Sequence, residues 1–133
     1  MIIAVDFDGT ITEHRYPEIG REKPFAFETL KRLQNDGHLL ILWTYRSGEL
    51  LEEAINYCKN NGIEFYAVNS SFPGEELEMG QSRKIHADIF IDDRIVSGFP
   101  GWGEIYQTIN PEASKYPVKN VSRWEFMRRL FKR

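Results

Sequence analysis

Asp6 and Asp8 follow the apolar run Ile2, Ile3, Ala4 and Val5, and are followed in turn by Gly9 and Thr10. Asp92 and Asp93 follow Ile89, Phe90 and Ile91 in the same way. Thr44 and Arg46 come just after a third apolar run, Leu39, Leu40, Ile41, Leu42 and Trp43, and Arg83 and Lys84 stand shortly before the last run. Unbroken apolar runs of this length, rich in branched residues and stopped by acid or glycine, read as buried strands of a parallel sheet. In such sheets ligands bind beyond the carboxyl ends of the strands. The polar residues therefore collect at one edge as four carboxylates, a hydroxyl and one or two cations.

Four carboxylates at one place repel each other unless a cation sits among them. A donor set of oxygens, without histidine or cysteine, suits a hard ion, and magnesium is the expected one. A metal, a lysine and a hydroxyl are what a phosphoryl group needs, because charge spreads over its oxygens in the transition state. Asp6 is the candidate nucleophile, able to form an acyl phosphate. Asp8, two residues on, would protonate the leaving oxygen and later deprotonate a water. Thr44 would donate to a phosphate oxygen. Lys84, with Arg83 as the alternative, would neutralise nucleophile and phosphate, and Arg46 could contact substrate or form a surface salt bridge. Asp92 would ligate metal, and Asp93 would do so through water or as a supporting residue.

The elements that must position these groups follow from the spacing. Residues 11–23 are polar and without a sustained period, and read as a loop or flap beside the first strand. Pro24 suits the first turn of a helix in which Phe27, Leu30 and Leu33 recur at helical spacing, with Asp36 and Gly37 at its end. Residues 38–43 form the second strand, residues 49–60 a second helix and residues 63–68 a third strand. The stretch 69–82 is irregular, and the fourth strand ends at Asp92. Residues 104–109 suggest a short helix stopped by Pro111. Residues 122–132 read as a terminal helix with a capping box at Ser122 and Glu125. Its stripe of Val121, Trp124, Met127, Leu130 and Phe131 would pack on the sheet or on another subunit.

Strands alternating with helices give an α/β fold, a Rossmann-like three-layer sandwich on a central parallel sheet, with residues 1–133 as a single domain. The composition agrees: 41% hydrophobic and 28% charged residues exclude disorder, and a net charge of −3 gives no general attraction to nucleic acid or anionic membrane. The single cysteine, Cys58, excludes an internal disulfide and reads as a small buried hydrophobe. No apolar run approaches the roughly 20 residues of a membrane span. The short amino-terminal run lacks a basic flank, so a signal peptide is not expected and the expected location is cytoplasmic.

The chain resembles the haloacid dehalogenase superfamily of aspartate-nucleophile phosphatases. Asp6, Phe7, Asp8, Gly9 and Thr10 match its Asp-x-Asp-Gly-Thr motif, Thr44 its second motif, Lys84 its third, and Asp92 and Asp93 its acidic pair. The resemblance covers residues 1–98. It implies that Asp6 and Asp92 bind magnesium through side chains and Asp8 through its backbone carbonyl. It also implies a phosphomonoester substrate cleaved through an aspartyl phosphate. Family members often carry a cap domain, but neither residues 11–23 nor 69–82 could fold as one, so the chain resembles the capless branch. An open site of that kind implies either a large substrate that covers it or a lid supplied by a neighbouring subunit, and with such a lid a small sugar or sugar-acid phosphate is the expected substrate. In that reading a homo-oligomer, for instance a tetramer, would let a neighbour's flap close the site. Nucleotides or macromolecules are the other substrates to weigh. A receiver-like module phosphorylated on aspartate is the other class, although its acidic pair comes early in the chain rather than late.

Among the remaining residues, Arg94 is expected to pair with Asp88 or a nearby acid, and Trp43 to lie in the core. His14 is expected to be an exposed loop residue. Trp102 stands for either loop packing or a stacking surface for substrate.

Overall fold

The computed structural model describes residues 1–112, and the expected terminal helix at 122–132 lies outside them. The strands are β1 (Ile2–Val5), β2 (Leu39–Leu42), β3 (Ala67–Val68) and β4 (Ile89–Ile91). The helices are α1 (Ala26–Asn35), α2 (Gly48–Asn60) and α3 (Trp102–Ile109). All neighbouring strands pair in parallel, in the order β3-β2-β1-β4. This is the α/β, Rossmann-like arrangement expected, with no second domain inserted between the described elements.

Alternation along the strands divides the core. Ile3, Val5, Leu40 and Leu42 face one side, where they pack with Phe27, Leu30 and Leu33 of α1, Ala54 and Cys58 of α2, and Trp102 and Ile105 of α3. Ala4 and Ile41 face the other side and meet Ala67 and Ile85. That second face is covered by the irregular connection from β3 to β4, so the described helices form one outer layer and this connection the other.

The helix ends follow local chemistry. Gly37 takes φ 95°, the left-handed conformation favoured by glycine just past a helix. At the start of α1, Phe25 has no capping side chain, and the Phe27 N–H instead donates to Glu22 Oε1 at 3.1 Å. The third strand is shorter than residues 63–68 suggested. Ile63 is buried in the helix-side core rather than paired, and only Ala67 and Val68 are in register with Ile41 and Leu42. The fourth strand runs over Ile89–Ile91, matching its apolar run, with Ile85 used as a plug beneath the sheet.

The strand order decides where a site can form. From β1 the chain moves outward through β2 to β3, then crosses back to place β4 on the other side of β1. A crevice at the carboxyl ends between β1 and β4 is the switch point of the sheet. Val5 is in register with both Leu42 and Ile91, so the next residues, Asp6, Trp43 and Asp92, reach the edge at one level. The ladder extends into them: Asp6 N–H donates to Ile91 O at 2.9 Å and Trp43 N–H to Val5 O at 2.9 Å.

Candidate active site

At the switch point, Asp6, Asp92 and Asp93 each offer a carboxylate oxygen, and these oxygens lie within 4.8 Å of one another. Thr10 ties the group together. Its Oγ1 accepts the Asp93 N–H at 2.9 Å and lies 3.0 Å from Asp6 Oδ2 and 3.1 Å from Asp93 Oδ1. One hydroxyl proton cannot satisfy both carboxylates, so the pair must share a proton or a cation. Burial first, then the Asp93 carboxyl and the charge of Asp92, push Asp6 up to about 8. Burial acts on Asp93 in the same direction, but hydrogen bonds from Asp6 and Thr10 outweigh it and hold Asp93 low. The turn that makes this possible needs a glycine. Gly9 has φ 88°, and a Cβ there would run into the Asp93 carboxylate.

Asp8 does not join the acidic cluster. Arg46 grips it through a fork, with Nε donating to Oδ2 and Nη2 to Oδ1, both at 2.8 Å. Arg46 is 1% exposed. It also donates to Glu18 O at 2.8 Å and Leu50 O at 3.4 Å, and its guanidinium lies against the rings of Phe7 and Tyr16. The expectation that Arg46 contacts substrate is therefore corrected. It is a buried strut joining Asp8, the flap and the start of α2.

The flap is more ordered than its composition suggested. Glu13 N–H donates to Arg21 O at 2.7 Å and Lys23 N–H to Ile11 O at 2.8 Å, so the two arms of the flap pair. A Cβ at Gly20 would collide with the Glu13 carbonyl, which fits the closeness of the arms. The flap's His14 and Tyr16 wall the cleft of their own chain.

That cleft has a volume of about 660 Å³ and is lined by Asp6, Asp8, His14, Tyr16, Trp43, Thr44, Tyr45, Asp92 and Arg94. Thr44 is where the sequence placed it. Its N–H donates to Asn69 Oδ1 at 2.8 Å, and its Oγ1 accepts the Arg46 N–H at 3.2 Å, which leaves the hydroxyl proton to give. Asn69, at φ 50°, is a supporting residue that sequence reasoning did not single out. Its signal was an asparagine at a strand end.

Lys84 is not brought to the cleft. Its ammonium lies 5.6 Å from the centre of the Phe90 ring and does not line the site. The residue after it, Ile85, is held beneath the opposite face of the sheet, and this directs the chain away from Asp6. Arg94 also departs from expectation. Asp88 Oδ2 accepts the Ile2 N–H at 2.7 Å, while Arg94 Nη2 lies 3.5 Å from His14 Nε2 at the cleft wall. Trp43 is half-buried, packing against the core of the second face while also forming part of that wall. Trp102 is resolved in favour of packing: it is 2% exposed, and its Nε1 donates to Thr10 O at 2.9 Å.

Asp6, Asp92 and Asp93 converge with no lysine or arginine of the described residues ion-paired to them, and burial pushes Asp6 far above its ordinary range, which fits a site completed by a hard divalent cation.

A solved structure of a conserved protein coded by a locus of Bacteroides thetaiotaomicron is 56% identical to this chain. The match covers 91% of this chain and 98% of that one, with a TM-score of 0.79. The chain belongs to the same family as that protein. The kinship to the Bacteroides protein supports the fold and leaves the chemistry to be read from the site. No protein-family model matches the chain, and no curated protein does.

Proposed function

We propose that the chain is a phosphomonoester hydrolase of the haloacid dehalogenase kind, acting through an aspartyl phosphate on Asp6 and requiring magnesium. The observation that carries this reading is the convergence of Asp6, Asp92 and Asp93 at the switch point, with Asp8 fixed on the same cleft wall. Asp6, Asp92 and Asp93 would hold the ion, which supplies charge neutralisation to the carboxylates and the phosphoryl oxygens.

In the first step an Asp6 carboxylate oxygen forms a bond to phosphorus as the bond to the leaving oxygen breaks, and Asp8 gives that oxygen a proton. In the second, Asp8 takes a proton from water as the water oxygen attacks phosphorus. Inorganic phosphate leaves and the Asp6 carboxylate is restored. Thr44 donates its hydroxyl proton to a phosphoryl oxygen. Arg46 sets the orientation of Asp8, so one residue positions the acid-base group while another does the chemistry. Lys84 has no part in this arrangement. A small phosphomonoester suits the cleft, sugar and sugar-acid phosphates among them.

The reading is tested by acid-quenching the protein during turnover of an aryl phosphate with magnesium and mapping the phosphorylated peptide. Phosphate on Asp6 is the expected result. Phosphate on another residue, or turnover with no phosphoenzyme under single-turnover conditions, overturns it.

A further inference from the structure

The cleft contains more than a phosphoryl site needs. Beyond the carboxylates and Thr44, its wall carries Tyr16, Trp43 and Tyr45, with Arg94 and His14. Tyr45, 89% exposed in the loop after β2, groups with Tyr16 and Trp43 as an aromatic patch on the cleft wall. Tyr16 and Tyr45 meet edge to face with centroids 6.0 Å apart, and Tyr16 is held in turn by the Arg46 guanidinium 5.3 Å from its centre. The ring pair is thus placed by a buried strut rather than left to move freely.

Arg94 is the one arginine among the described residues that lines the cleft. Arg46 is forked to Asp8 and Arg21 pairs with Glu13, whereas no carboxylate among the described residues lies within 4.0 Å of the Arg94 guanidinium. Its backbone is pinned, its N–H donating to Asp92 Oδ1 at 2.8 Å. Its side chain reaches His14 Nε2, so the flap orients a guanidinium that has no acidic partner of its own. An arginine so held, with donors to spare, suits planar recognition of a carboxylate or phosphate.

We infer that the substrate is a phosphomonoester whose leaving group carries a ring, received by Tyr16, Trp43 and Tyr45, and a second anionic group bound by Arg94 with His14 in support. This rests on the phosphatase reading and narrows its substrate class. Arg94 and the tyrosines then determine specificity, and the bond-breaking residues are unchanged.

Binding of non-hydrolysable probes separates the two claims. Phenylphosphonate and 4-carboxyphenylphosphonate are titrated calorimetrically into the full chain with magnesium, and into Arg94→Ala and Tyr45→Ala variants. The carboxyl group is expected to tighten binding about tenfold, the scale of a charge-assisted pair. Arg94→Ala is expected to bring the two affinities together, and Tyr45→Ala to weaken both. No advantage for the carboxyl probe, or a ratio of affinities that Arg94→Ala leaves unaltered, overturns the inference. The second result would mean that Arg94 serves the phosphoryl group itself. Failure of 4-carboxyphenylphosphonate to bind overturns it as well. Arg94-dependent binding without hydrolysis of 4-carboxyphenyl phosphate would instead uphold the anion site and count against the phosphatase reading alone.

Discussion

Asp6 carries the strongest electrostatic signature in the described chain, and that signature has a consequence for stability. A carboxyl at about 8 in the folded state and 3.8 otherwise keeps its proton in the folded chain after the unfolded chain has lost it. Metal-free protein is therefore most stable at low pH, as far as this group is concerned. It loses that contribution as the pH rises from 3.8 to about 8, and changes little beyond. Thermal melting in EDTA should show this decline relative to an Asp6→Asn variant, and saturating magnesium should flatten it. Parallel curves for wild type and variant would contradict the assignment. Gly9→Ala tests the neighbouring turn. A positive φ and a collision with the Asp93 carboxylate predict a loss of about 1–3 kcal/mol in denaturant titration and displacement of Asp93. Asp6, Asp8, Thr44, Asp92 and Asp93 were legible in the sequence because each lies within three residues of an apolar strand. The destinations of Lys84, Arg46 and Arg94 were not, because a long cationic side chain can reach many partners and the fold chooses among them.

The flap, the start of α2 and the loop after β1 are joined by one guanidinium. Arg46 is buried, and its fork leaves Asp8 partnered. Arg46→Ala would strand Asp8 and the Glu18 carbonyl together, at a cost of about 3–5 kcal/mol in equilibrium unfolding. Arg46→Lys keeps the charge but not the fork. It should restore much of the stability and little of the proposed phosphatase activity, because the orientation of Asp8 depends on two parallel hydrogen bonds. Equal recovery of both would mean that Asp8 needs only a nearby charge. Helix positions were readable from periodicity, Leu30 and Leu33 being typical, and Gly37 marked its end as expected. The third strand was misjudged because an apolar run records burial rather than pairing. Ile63 is as buried as any strand residue but lies against the helix side of the sheet.

For the molecule as a whole, the sheet order places two acidic strand ends side by side, and this juxtaposition could not be read from either segment alone. The parallel fold was legible because the runs of β1, β2 and β4 are unbroken apolar stretches and each is followed by a polar edge. The covering of the second face was not, since the connection from β3 to β4 has no period and contributes a single well-buried plug, Ile85. No helix of the described residues is long and apolar enough to cross a membrane. Cys58 reports on the integrity of the helix-side core. It is fully buried, and burial pushes its thiol up to about 12. Native protein should therefore resist thiol reagents at neutral pH and react fully in denaturant, whereas rapid labelling of the native state would indicate an opened core.

The central claim is tested most directly by hydrolysis of 4-nitrophenyl phosphate, in magnesium and in EDTA, by the wild-type protein and by Asp6→Asn. The account predicts turnover that requires magnesium and falls by at least about a thousandfold in the folded variant. Turnover by Asp6→Asn at the wild-type rate would contradict it, since the phosphoryl group would then have to be accepted elsewhere.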